Sequence, residues 1–150
     1  MYDITGKTEA QISADLSQYQ LMYIEGGNTP LLLKQALSNN FKQYVRQRVE
    51  AGMIYISESA GSVIAGPDIS SNGRPGKMPS DYGITDSSGF NLVNFVIFPH
   101  WGDQKKAKDY FAHKIPQAYN SPFPYIILNN HQYVEVVDEQ SMIVDVRKNK

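Results

Sequence analysis

The 150-residue chain contains no cysteine. Disulfides, thiolate metal sites and a cysteine nucleophile are thereby excluded, and the composition fits a reducing compartment. Long apolar runs are missing too: none approaches the ~18 residues that a bilayer-spanning helix requires. The opening Met1-Tyr2-Asp3-Ile4-Thr5-Gly6 lacks the charged start and apolar stretch of a secretory signal. Nor is there an excess of one charge sign, since 14 Lys and Arg stand against 15 Asp and Glu. That balance gives no electrostatic reason to expect nucleic acid or an anionic membrane as partner. The basic end, Arg147-Lys148-Asn149-Lys150, reads as a solvated terminus. The three histidines are scattered and no carboxylates cluster with them, so no metal site is expected. What remains is globular: 41% hydrophobic and 19% charged residues argue against disorder. The expectation is a soluble, cytoplasmic chain forming one domain over residues 1–150.

Helix and strand signals alternate through the first two thirds. Thr8-Glu9-Ala10-Gln11 fits a capping box that starts a helix carrying Ile12 and Leu16. Leu21-Met22-Tyr23-Ile24 is a compact apolar run ended by Glu25-Gly26-Gly27-Asn28, the pattern of a buried strand entering a tight loop. Thr29 as cap and Pro30 as first residue restart a helix, and a further one runs from Phe41 to Ala51. Met53 to Ile56 is the next strand. From Gly66 to Gly89 no hydrophobic period appears, which predicts a long functional or mobile loop. Leu92 to Phe98 reads as a strand and 104–119 as a polar helix. Tyr125 to Leu128 and Tyr133 to Val137 read as two strands across a tight turn at Asn129-Asn130, with Met142 to Val146 as a third. The fold class expected is therefore α/β, a mainly parallel central sheet flanked by helices and closed by a small antiparallel meander.

Three motifs could carry chemistry, each at a strand end. Tyr55-Ile56-Ser57-Glu58-Ser59-Ala60-Gly61-Ser62 runs a strand into a turn of small residues and then a helix. Such a turn lifts one hydroxyl clear of the sheet, and the helix N-terminus behind it favours developing negative charge. A serine-rich helix cap is the plain alternative. Gly26-Gly27-Asn28 would let backbone N–H groups approach a ligand, or would simply turn the chain. Phe98-Pro99-His100-Trp101 places at a strand end the one histidine of three so positioned, where it could act as the base for Ser59. Ligands of parallel α/β sheets bind beyond the carboxyl ends of strands, so the three motifs are expected to face one crevice.

Together, Gly26-Gly27-Asn28-Thr29, Glu58-Ser59-Ala60-Gly61-Ser62 and Pro99-His100 resemble peptidase family S51. That family includes the aspartyl dipeptidases (peptidase E) and the cyanophycinases. The resemblance covers about Tyr23 to Leu128 and implies a class I glutamine-amidotransferase-like, three-layer α/β fold. It implies Ser59 as nucleophile, His100 as base and later acid, and backbone donors from Gly27 and Ala60 in an oxyanion hole, with Gly26 and Asn28 beside them. A short peptide would be the substrate, cleaved through an acyl-enzyme with no metal or other cofactor. The alternative is a non-catalytic relative that binds a small ligand or partner in the same crevice.

The sequence departs from the family pattern in four places. Ser57 stands where glycine is usual. The acid that orients the histidine has no clear counterpart; Asp81 is the candidate, Asp86 stands behind it, and a plain Ser–His dyad is the remaining option. No arginine lies between His100 and Tyr125, although Lys105, Lys106 and Lys108 could offer charge, so aspartyl specificity does not carry over. The usual elements before the segment matching Thr8 to Asn28 are lacking, which would leave a sheet edge exposed and predicts a homo-oligomer.

Overall fold

A computed structural model describes residues 1–138 and 140–149. The first helix, α1 (Glu9–Leu16), starts at the expected capping box. Gln11 N–H donates to Thr8 Oγ1 (3.3 Å) while Thr8 N–H donates to Gln11 Oε1 (2.9 Å), so two orphan amides are satisfied reciprocally. After strand β1 (Leu21–Ile24), helix α2 (Thr29–Ser38) begins one residue earlier than the Thr29 cap implied. Asn28 is the cap, and its Oδ1 accepts from Leu31 N–H at 3.1 Å. Helix α3 (Phe41–Glu50) leads to strand β2 (Ile54–Ser57), and α4 (Ala60–Ala65) follows directly. One core lies under these elements, with Ile12, Leu33, Ala36, Val45 and Ile64 fully buried.

The expected single central sheet is not seen among the described residues; two separate parallel pairs stand in its place. β1 pairs with β2 in the register Leu21↔Ile54 through Ile24↔Ser57. β3 (Val96–Phe98) pairs with β4 (Tyr125–Ile127), with Val96 opposite Tyr125. Strand β3 is shorter than the apolar run from Leu92 suggests. The amides of Phe90, Asn91 and Leu92 donate instead to Ile64, Gly66 and Ala65 at the end of α4, which keeps that stretch out of a ladder.

Strand β4 corrects a second expectation. It runs parallel to β3 rather than antiparallel to the strand that follows it. The 104–119 segment explains this, because a helical crossover of a dozen or more residues is what a parallel pair needs. That segment changes pitch along its length, from a 3-10 turn (Gln104–Lys106) through a π stretch (Tyr110–Lys114) to an α turn (Ile115–Tyr119). The antiparallel unit is accordingly a two-stranded one, β5 (Gln132–Val137) with β6 (Gln140–Asp145), not a three-stranded meander.

The long 66–89 loop drops Ile69 and Ile84 into the main core, and polar contacts fix the chain around them. It holds two 3-10 turns, Ser70–Asn72 and Pro79–Tyr82. The Asp68 carboxylate accepts from Ser70 N–H (2.8 Å), from the Ser70 hydroxyl and from the Ser87 hydroxyl (2.5 Å), tying the two ends of the loop together. Such a network leaves no hydrophobic period to read. Among the described residues no helix is long and apolar enough to cross a membrane.

Candidate active site

Strand β2 hands the chain to α4 through a single sharp turn at Ser59, where φ is 47° and ψ −109°. The turn is possible because its neighbours are small. A Cβ on Gly61 would lie 2.3 Å from the Ile24 carbonyl oxygen, so the first turn of α4 rides directly on the end of β1. A Cβ on Gly26 would meet Ser59 Cβ at 3.0 Å. Ser57, where glycine is usual in the resembled family, is accommodated by pairing its hydroxyl with that of Ser62 at 3.2 Å. Tyr55 OH donates to Gly61 O at 2.7 Å and ties the strand to the helix it feeds.

The second half arrives from the end of β3, where His100 has φ 69°. Ser59 Oγ and His100 Nε2 lie 2.8 Å apart. On the far side of the ring, His100 Nδ1 is 2.7 Å from Asn130 Oδ1, in the turn that follows β4. An imidazole this close to a hydroxyl can take its proton, and a ring held at both nitrogens keeps its orientation.

The other expected residues divide. Gly27 (φ 145°) and Ala60 line the same cleft as Ser59 and His100, and among the described residues their amides donate to no protein acceptor. Gly26 N–H faces Glu58 Oε1 at 3.4 Å. Asn28 also lines the cleft, but both ends of its side chain are engaged: Oδ1 caps α2 and Nδ2 donates to Tyr82 OH at 2.5 Å. Asp81 is exposed, and its carboxylate accepts from Met78 N–H at 2.8 Å. Asp86 accepts from Ser88 N–H and from its hydroxyl, each at 2.9 Å. Neither carboxylate meets His100; Asn130, read in the sequence only as part of a turn, does.

The cleft itself measures about 150 Å³ and its charged lining is mostly cationic: Arg74, Lys77, Lys106 and Lys114 against Asp109 alone. Asp109 is taken by Arg74 at 2.8 Å, which leaves three ammonium groups lining the cleft with no ion-pair partner among the described residues. Lys114 Nζ donates to Asn72 Oδ1 at 3.0 Å and sits 4.7 Å from the centre of the Tyr110 ring and 5.4 Å from that of Phe98. Burial, and then the nearby Arg74 guanidinium, push the Lys114 ammonium down to about 8. Lys105 and Lys108, named from the sequence, do not line the cleft; Arg74, Lys77 and Lys114 do. Arg74 and Lys77 come from the loop without a period and Lys114 from a helix of changing pitch, so no spacing rule pointed to them.

A hydroxyl on a strand-to-helix turn, bonded to an imidazole at the end of a parallel strand, defines a class of α/β proteins built around a Ser–His pair. Within that class the chain belongs to peptidase family S51, whose model matches residues 2–144. It is 30% identical over 141 residues to an "Uncharacterized peptidase" of Pasteurella multocida, an alignment covering 94% of this chain and 67% of that protein. A Listeria innocua peptidase is also 30% identical, over 92% of this chain and 65% of its own length. Peptidase E of Actinobacillus pleuropneumoniae is 34% identical over 85 residues, 57% of this chain and 32% of that one. The crystal structure of a "Putative Peptidase E Protein" from Listeria monocytogenes superposes with a TM-score of 0.78 at 24% identity. It covers 96% of this chain and 68% of its own, so it supports the fold. The chain thus spans about two thirds of the length of the Pasteurella and Listeria relatives it matches.

Proposed function

We propose that the chain is a serine-type peptidase of the cytoplasm, with the three-layer α/β fold of its family, that cleaves short peptides through an acyl-enzyme. The observation that carries this reading is the 2.8 Å contact between Ser59 Oγ and His100 Nε2 at the mouth of a cleft. Ser59 Oγ attacks the scissile carbonyl carbon as His100 Nε2 takes its proton. The tetrahedral oxyanion is received by the free N–H groups of Gly27 and Ala60, the latter at the start of α4. The C–N bond then breaks, the Nε2 proton passes to the leaving amine, and an ester remains on Ser59. Water, deprotonated by His100, attacks that ester; the acid product leaves and Ser59 regains its proton. Asp81 has no part in this scheme, because its carboxylate is held at the Met78 amide.

The three ammonium groups, which have no carboxylate partner among the described residues, favour a peptide that brings a carboxylate of its own beside the scissile bond. That preference comes from Lys77, Lys106 and Lys114 rather than from an arginine behind His100. The second reading, a non-catalytic binding protein, is favoured by one observation: among the described residues no carboxylate meets His100. Mass spectrometry on di- and tripeptides with Asp, Glu or neutral amino-terminal residues decides between them. Turnover by the wild type and none by Ser59→Ala is the expected result. Equal, background-level release by both folded proteins would leave only the binding role.

A further inference from the structure

We propose that Asn130 is the positioning residue of His100, and that its side-chain amide selects the base-competent imidazole tautomer without supplying a charge. The inference rests on the reading of His100 as the base. Its geometric ground is the pair of contacts on one ring, Asn130 Oδ1 to Nδ1 at 2.7 Å and Ser59 Oγ to Nε2 at 2.8 Å. An amide oxygen carries no proton, so this contact requires the proton on Nδ1. The lone pair on Nε2 is then the one that faces Ser59, as a base needs.

The turn that presents Asn130 is itself fixed to the histidine strand. Leu128 N–H donates to Phe98 O at 3.0 Å, and Trp101 N–H donates back to Leu128 O at 2.9 Å. Asn129 closes the turn locally: its Oδ1 accepts from His131 N–H at 2.8 Å and its N–H donates to Gln132 Oε1 at 3.1 Å. The parallel β3–β4 ladder thus sets the distance between the imidazole and the amide. No carboxylate among the described residues takes this place.

A neutral amide differs from a carboxylate in one further way. A carboxylate can only accept, whereas an amide turned over would offer its NH2 to an unprotonated Nδ1. That pairing puts the proton on Nε2, aimed at Ser59, and disarms the base. Asn130→Asp removes this second pairing and keeps the first; Asn130→Ala removes both. Asn130 is exposed, so neither change disturbs the core.

The test reads the tautomer directly. In 15N-labelled protein, the His100 ring signals, assigned by their loss in His100→Gln, should show a proton on Nδ1 and a bare Nε2. Asn130→Ala should move the population toward the Nε2–H form, and Asn130→Asp should restore or exceed the wild-type Nδ1–H fraction. With peptide substrate, Asn130→Ala should lower kcat by about 10- to 100-fold with KM little changed, as for loss of a residue that orients a reacting group. Asn130→Asp should recover it. A wild-type ring already protonated on Nε2, or one unmoved in Asn130→Ala, would overturn the proposal. A ring that responds as described in a protein that cleaves no peptide would instead leave the positioning role standing and overturn the peptidase reading.

Discussion

The two parallel strand pairs each carry half of the site, yet they are covered very differently. In β3–β4, Val96, Ile97 and Phe98 are all buried, and alternate residues feed two separate apolar clusters. In β1–β2, one face is bare: Leu21 and Tyr23 are 49% and 51% exposed beside Ile54 and Ile56 at 59% and 45%. His100 therefore stands on a platform held by packing on both sides, including the Phe98 ring 4.8 Å from Tyr125 and 5.7 Å from Tyr110. Ser59 stands on a half-covered platform whose geometry is kept instead by backbone crowding, through the glycines at 26 and 61. The lesson is that side-chain volume positions His100 and the lack of side chains positions Ser59.

The sharpest test of that contrast is truncation on each pair. Phe98→Ala is expected to cost about 3–5 kcal/mol, because it empties a core position. The melting temperature should fall by roughly 10 °C or more. Ile56→Ala, a similar deletion on the bare face, should cost under about 1 kcal/mol. Equal losses in a thermal melt would erase the distinction.

A smaller effect links the packed pair to substrate. Lys114 rests over the Phe98 and Tyr110 rings, and its ammonium is charged below about pH 8 and neutral above it. For an acidic peptide, kcat/KM of the wild type should therefore fall as pH rises through about 8. Lys114→Arg, whose guanidinium stays protonated, should abolish that limb. Lys114→Ala should lower kcat/KM about tenfold at neutral pH, the worth of one charged hydrogen bond. A limb that persists unchanged in Lys114→Arg would assign it to another group.

The smallest effect belongs to the bare face. Exposed apolar patches of this kind invite cover, and a second copy of the chain is the occupant that the sequence suggested. Ile54→Lys should change monomer stability by no more than about 0.5 kcal/mol. In sedimentation velocity it should reduce any oligomer to monomer; an oligomer that survives the change places its contact elsewhere.

How far the sequence could be read follows the same divide. The capping box at Thr8, the strand ends at Ile24 and Phe98, the end of the second strand to within one residue and the helix after Ser59 are local patterns, and each was visible. What escaped depends on pairing at long range. Tyr125 to Ile127 has the same apolar signature whether its partner is Val96 or Tyr133, and periodicity cannot choose between them. That choice hid Asn130. Had β4 been placed parallel to β3, Asn129-Asn130 would have stood at a fourth strand end, facing the crevice like the other three motifs. Arg74 and Lys114 escaped for a related reason, since the hydrogen bonds and crossover that carry them to the cleft leave no spacing in the sequence.

The positive φ angles of Ser59 and His100, 47° and 69°, have one more consequence. Residues that carry a Cβ are normally kept out of that region, at a strain of about 1–3 kcal/mol for each residue so held. The fold is thus under tension at its Ser–His pair, and its most relaxed form should be one that lacks that pair. Ser59→Gly and Ser59→Ala both lose the contact to His100, but only glycine releases the backbone. The glycine variant should unfold at the higher temperature of the two, by the released tension less the ~0.5–1 kcal/mol of extra chain entropy that glycine loses on folding.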